Sequence, residues 1–237
     1  MMRSSRCSLI AGLTVAVLAV TASAATPAVG TTLVYRVING YNNEPRGEAR
    51  YRIEGAATGR VTVAITTDVP ALTGGRTGVP DGEVLDAQGN AYKRTLVNHD
   101  HPAPYEFAVP FPAFVHPLDV GRSWSQRVTG TNGLTGRRHS VRVDGAVLAA
   151  ERVQVPAGTF DTLKIRRRIY AGDWEGFRFE TNIIETEWYA PALGYSVRRE
   201  STSNYMNPSQ CGEHLACPPV QGDWHVLELI EPRAPGR

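Results

Sequence analysis

The stretch from Glu48 to Glu54, E-A-R-Y-R-I-E, puts Ala49, Tyr51 and Ile53 on one side of an extended chain and Glu48, Arg50, Arg52 and Glu54 on the other. Successive side chains of a strand point to opposite faces, so this segment buries one face and wets the other. The same alternation sets Leu33, Tyr35 and Val37 against Val34, Arg36 and Ile38, and Val61, Val63 and Ile65 against Thr62, Ala64 and Thr66. Further strands are predicted near 83–86, 91–97, 123–131, 137–151, 162–171, 177–189, 195–205 and 224–231. Turn residues separate them: Asn39-Gly40, Thr58-Gly59, Gln88-Gly89-Asn90, Asn132-Gly133 and Gly172-Asp173. Past the N-terminus no segment sustains a helical period, and no fixed-period repeat occurs. The expected fold is all-β: an antiparallel sandwich, a partial barrel or a curved sheet.

Residues 1–24 read as a cleaved secretory signal. Arg3 and Arg6 supply the positive end, Leu9–Val20 the apolar stretch, and Ala22-Ser23-Ala24 the small-residue cleavage site. A dozen apolar residues fall short of the ~20 that span a bilayer. Cys7 precedes that stretch instead of following it, which argues against lipid attachment there. The expected location is periplasmic or secreted, with no transmembrane segment in the mature chain. Without Arg3 and Arg6 the 25 basic residues become 23, equal to the 23 acidic ones. A neutral mature chain argues against nucleic acid as a partner. Two cysteines remain, Cys211 and Cys217, and an oxidising compartment favours a disulfide between them. His214 lies between, but the spacing does not match a usual zinc site.

The rest, 25–237, is expected to be a single β domain, with possible sub-layers 25–97 and 122–237 joined by a proline-rich loop, 98–121. That loop carries Pro102, Pro104, Pro110, Pro112 and Pro117 among Phe107, Phe111 and Phe114. Proline cannot donate to a sheet ladder, and an apolar loop of this length packs along a sheet or covers something.

In V-Q-V-P-A-G-T-F-D-T-L-K-I-R-R-R-I-Y, Val153–Tyr170, the Pro156-Ala157-Gly158 turn reads as a corner joining two strands. Leu163, Ile165 and Ile169 share one face, with Arg167 as the exception to it. Pairing with the following strand requires a β-bulge at Ile183–Ile184, because the apolar phase slips there. In that register Ile169 faces Phe179, Arg168 faces Glu180, Lys164 faces Glu185 and Thr162 faces Glu187. The Arg166-Arg167-Arg168 run is then a solvated face, neutralised by cross-strand pairs contributing ~0.2–1 kcal/mol each.

Three segments carry a resemblance: V-x-V-P-A-G-T-F-D-T-L-K-I, then E-W-Y-A-P-A-L-G-Y-S-V-R-R-E at Glu187–Glu200, and Pro117-Leu118 leading to Gly121 and Trp124. Together they resemble the TapB-like family of bacterial envelope proteins of unknown function, over roughly residues 112–205. The resemblance implies an all-β periplasmic domain, similar to the curved sheets of LolA- and LolB-type lipoprotein carriers. It implies no catalytic residue.

Chemistry-bearing clusters are sparse. His99-Asp100-His101 could ligate a metal, but Pro102 follows and the segment reads as a polar loop, so no metal and no cofactor is expected. Ser123 and Ser125 lack the second glycine of a nucleophile elbow. Glu185 and Glu187 could act as an acid/base pair, yet a facing Lys164 favours a structural role. Aromatic residues are the other resource. Phe107, Phe111, Phe114, Trp124, Trp188 and Tyr189 are the candidate ligand contacts: a concave sheet covered by the Phe107–Phe114 loop would hold an apolar or amphipathic ligand, a lipid or a cell-wall fragment. A strand-edge partner among envelope proteins is the alternative, and a secreted hydrolase the least supported.

Overall fold

The computed structural model describes residues 27–73, 81–97, 102–176, 179–210 and 218–235. Within them the chain forms twelve antiparallel strands, each paired with its neighbours in sequence: β1 (Thr32–Asn39), β2 (Pro45–Ala57), β3 (Arg60–Thr67), β4 (Asp81–Asp86), β5 (Ala91–Leu96), β6 (Ala103–Phe111), β7 (Ser123–Asn132), β8 (Arg138–Val155), β9 (Gly158–Tyr170), β10 (Asn182–Ala190), β11 (Tyr195–Tyr205) and β12 (Val220–Arg233). β12 returns to β1, from Thr32 opposite Arg233 to Asn39 opposite His225, and closes the barrel.

The alternation that predicts the strands also decides their inner and outer faces. Leu33, Tyr35 and Val37 of β1, Ala49 and Ile53 of β2 and Val63 and Ile65 of β3 are buried, while Arg50, Arg52 and Glu54 are exposed. The Thr58-Gly59 turn links Ala57 to Arg60 with both residues at positive φ, 51° and 74°, the requirement of a two-residue turn that matches strand twist. At the next turn on that end, the Asp86 carboxylate accepts from the backbone N–H groups of Gln88 and Asn90.

Three expectations are corrected. Within the proline-rich stretch, Ala103–Phe111 is a strand. β6 tolerates Pro104 and Pro110 because it is a poorly zipped strand: it pairs with β7 only from Tyr105 to Phe107, and Phe107–Pro110 arch off the ladder to β5. Second, β9 and β10 pair without a bulge at Ile183–Ile184: Ile183 opposes Ile169, Glu185 opposes Arg167, and Trp188 opposes Lys164. Irregularities fall instead at Leu148 of β8 and Val197 of β11. Lys164 meets Glu151 at 3.8 Å and is not Glu185's partner. Third, Arg166 and Arg168 do lie on the solvated face, but Arg167 is 0% exposed. The Pro156-Ala157-Gly158 corner docks, the Ala157 N–H donating to the Leu229 carbonyl at 3.0 Å.

An eight-stranded barrel is just narrow enough for its own side chains to fill; twelve strands enclose more space. Two apolar clusters fill part of it: Leu96, Tyr105, Phe111, Val143, Ile169 and Ile183, and Leu33, Tyr35, Val37, Val197 and Leu229. The β6–β7 connection supplies more filling. Its Ala113 carbonyl accepts from Arg167 Nη1 at 3.1 Å, and its Phe114 ring rests on Tyr189, centroids 5.1 Å apart.

Candidate functional site: an ionic belt across the lumen

Between the apolar clusters the inward positions of five strands carry charge: Glu83 on β4, Arg94 on β5, Arg167 on β9, Glu185 and Glu187 on β10, and Arg199 on β11, with Tyr51 of β2 among them. Arg94 Nη2 lies 2.5 Å from Glu185 Oε1. Arg167 bridges both carboxylates of β10, with Nε 3.1 Å from Glu185 and Nη2 2.8 Å from Glu187. Ser196 Oγ donates to Glu187 at 3.1 Å, and the Tyr35 hydroxyl donates to the Ser196 carbonyl at 2.7 Å. Charge taken out of water is tolerated when it is paired and hydrogen-bonded, and around Arg167 the charge is paired twice and hydrogen-bonded through Nε and Nη1, with Nη2 making an ion-pair contact alone.

The belt's electrostatics divide its carboxyls. Burial alone would raise Glu187, but the Arg167, Arg199 and Arg94 guanidiniums and the Ser196 hydroxyl outweigh it and hold the group down at about 2. Burial likewise opposes ionisation of Glu185, and Arg94 and Arg167 overcome it, so its pKa is lowered. Glu83 goes the other way. Burial dominates, Glu187 and Glu185 add to it, and Arg199 and Arg94 do not compensate, so its carboxyl is raised. Burial also pushes Tyr51 up to about 12.

Pairing is uneven among the cations. Arg199 is 28% exposed and makes no closer polar contact among the described residues than 3.7 Å to Glu187, with its guanidinium 5.2 Å from the Tyr51 ring centre. Its Nε, like Arg94 Nε, is buried and has no hydrogen-bond partner among them.

On one side of the belt lies a cavity of about 130 Å3. Leu33, Ile53, Val61, Val63, Leu85, Phe114 and Tyr189 wall it, and the 88–89 turn, Ala113 and Gly194 rim it at the barrel end where β2–β3, β4–β5 and β10–β11 turn. A smaller cavity of about 80 Å3, reaching Leu72, Val97 and His225, lies toward the other end. Tyr51, Glu83, Arg94, Glu187 and Arg199 line both.

Of the six aromatic candidates, Phe114 and Tyr189 meet at the larger cavity. Phe107 and Phe111 pack in the core, with the Arg94 guanidinium over the Phe111 ring. Trp124 donates from Nε1 to the Pro112 carbonyl at 3.1 Å and covers Gly145. Trp188 faces away from the lumen, between Lys164 and Arg198, with its Nε1 donating to Glu151. Cys211, Cys217, His99, His101 and His214 lie outside the described residues. Sequence reasoning missed Tyr51, Glu83, Arg94 and Arg199 as a group. The one signal was Arg167, a cation in an otherwise apolar parity set.

No protein-family model matches this chain, and no curated protein matches it. Among solved structures it is similar to a candidate exported protein with a YmcC-like fold from Bacteroides fragilis, at 16% identity over 90% of this chain and 99% of that one, with a TM-score of 0.49. A candidate lipoprotein from Parabacteroides distasonis matches at 13% identity over 87% and 97%, TM-score 0.46. The hypothetical lipoprotein YmcC from Escherichia coli matches at 10% identity over 86% and 84%, TM-score 0.44.

Proposed function

We propose that this chain is an exported, non-enzymatic envelope protein whose barrel holds the apolar end of a small amphipathic ligand. The observation that carries this reading is the cavity under Phe114, walled by aliphatic and aromatic side chains and floored by the ionic belt. An apolar protein cavity of about 150 Å3 accepts a benzene-sized group, so this one suits a ligand terminus or a short acyl segment. Phe114 and Tyr189 are the contacts that fit it among the aromatic candidates.

Two further points support the reading. A glycosidase-type acid must hold its proton at working pH, and Glu185 and Glu187 are both held ionised by their arginines. Export rests on the features of residues 1–24. No helix among the described residues is long and apolar enough to cross a membrane. The barrel wall carries Arg50, Arg52, Glu54, Arg166 and Arg168 outward, whereas a lipid-facing barrel wall is apolar, each midplane Arg costing ~2–4 kcal/mol there.

Native mass spectrometry of gently purified protein tests this. A single-chain amphiphile is expected as an adduct, and Leu85→Trp, which fills the cavity, should release it. An unadorned mass, with no uptake of added octanol, would refute the reading. The partly open β6–β7 seam favours a second one: β7 from Ser123 to Thr129 has no ladder partner on its β6 side among the described residues, an edge that a partner's strand could extend. Hydrogen exchange at Ser123–Thr129 slowing on addition of envelope extract would support it; unchanged exchange would count against it.

A further inference from the structure

We propose that Arg199, with Tyr51 beside it and Arg94 and Glu83 lining the same cavity, seats the carboxylate of a single-chain organic acid, which makes the ligand an anionic amphiphile of fatty-acid type. The inference rests on the reading of the cavity as an apolar-ligand site and names the other end of that ligand.

The belt's cations are unevenly paired. Arg167 has an acceptor within 3.1 Å of each of its three nitrogens, hydrogen-bonding Glu185 and the Ala113 carbonyl and meeting Glu187 as an ion pair whose Nη2 makes no directed hydrogen bond. Arg199 has a single distant one. A guanidinium presents a fixed fork of N–H donors that matches the two oxygens of a carboxylate. Arg199 lines the larger cavity, and its buried Nε has no acceptor among the described residues. A polar group left so costs free energy that an acceptor would recover. Arg94 presents a second Nε in the same condition.

Charge selects a monoanion. Three arginines and three glutamates balance when all are ionised, so an added anion leaves the belt negative by one. Glu83 can correct that by taking a proton from solvent. The ionisable groups lining the same cavities around it are Tyr35 on β1, Tyr51 on β2, Asp86 on β4, Arg94 on β5, Glu185, Glu187 and Tyr189 on β10, Tyr195, Arg199 and Glu200 on β11 and His225 on β12; of the carboxyls outside the belt, Asp86 is held by its own turn and Glu200 by Arg198, and His225 faces Arg46. Among the described residues Glu83 has no hydrogen bond or ion pair to lose on protonation, and its raised pKa agrees with this role. One carboxylate plus one proton keeps the belt neutral, whereas a phosphate dianion does not. Acid binding is therefore coupled to proton uptake and strengthens as pH falls.

Calorimetry on the full chain with octanoate, octanol and acetate tests the proposal. Octanol reads the apolar cavity alone, acetate the head alone, and octanoate both. Octanoate is expected to bind roughly tenfold or more tighter than octanol, the range of a charge-assisted hydrogen bond, and more tightly at about pH 5 than at about pH 8 at a given octanoate-anion concentration. Arg199→Gln should erase that preference and leave octanol binding intact. Equal binding of octanoate and octanol by the wild type would overturn the carboxylate seat while sparing the apolar site; failure of both would overturn both. Acetate binding as tight as octanoate would show a free small anion as the occupant and would also overturn the proposal. Should Arg199→Gln fail to fold, Glu83→Gln, which mimics the protonated acid, must keep tight octanoate binding and lose its pH dependence. A wild-type pH profile in that variant would overturn the coupling.

Discussion

Replacing Arg167 with Met measures what the ionic belt does for the barrel. Arg167 is fully buried and links three elements: Glu185 and Glu187 of β10 and the Ala113 carbonyl of the β6–β7 connection. Methionine keeps a linear side chain and removes the charge, leaving two carboxylates beside each other with only Arg94 and Arg199 nearby. Removing one partner of a buried ionic set costs ~3–5 kcal/mol, and at ~2–4 °C per kcal/mol for a chain of this size the melting point should fall by roughly 6–20 °C. Urea unfolding at fixed m-value gives the free energy directly. The pH dependence adds a signed check. Glu187 is lowered from 4.5 to about 2, so it contributes stability that is present above its unfolded pKa and is lost as pH falls from about 4.5 toward about 2. At ~1.4 kcal/mol per pKa unit that is about 3 kcal/mol. In Arg167→Met the two carboxyls rise, so the variant gains from protonation where the wild type loses. The gap between them should therefore narrow between pH 7 and about pH 4. A gap under ~1 kcal/mol at pH 7, or one that does not change on acidification, would show that the belt is not held together by Arg167.

Three more perturbations discriminate between features of the barrel. Lys164→Ala should change stability by less than ~1 kcal/mol in the same urea assay, because its pair with Glu151 is long and partly exposed; a loss comparable to Arg167→Met would revive Lys164 as the organising cation. Gly145→Ala should cost ~1–3 kcal/mol, since a Cβ there would stand 2.1 Å from the Trp124 ring, and Trp124 fluorescence should shift as the indole is displaced from Pro112. Asp173→Ala should cost ~1–3 kcal/mol and increase proteolysis between β9 and β10, because the buried Asp173 carboxylate accepts from both the Thr181 backbone N–H and hydroxyl.

The places where sequence reasoning succeeded and failed share one cause. Strand β2 was legible because its pattern is binary: apolar residues inward, charged residues outward. Applied to β10, the same rule reads Ile184, Thr186 and Trp188 as the buried face and needs a bulge to reconcile them with Ile183. The strand has no bulge there. Glu185 and Glu187 point inward with Ile183, and Trp188 is buried on the outer side by Lys164 and Arg198. A carboxylate reads as solvent-facing unless its cation is known, and here the cations arrive from β5, β9 and β11. Arg94 lies 91 positions from Glu185 along the chain, a distance over which no local pattern speaks. Phe114 and Tyr189 were recognisable as aromatic candidates; their meeting over a cavity depended on the β6–β7 connection folding back into the lumen.

The sequence by itself determined that the chain is built of antiparallel strands and where most of them turn, because alternation, glycine and turn chemistry act over a few residues. Only the tertiary structure decided that the strands close into a twelve-membered barrel, and that its middle is charged. Closure made a lumen too wide for apolar side chains alone, and charge could enter it because Glu185 and Glu187 meet Arg167 of the neighbouring strand and, for Glu185, Arg94 of a strand distant along the chain.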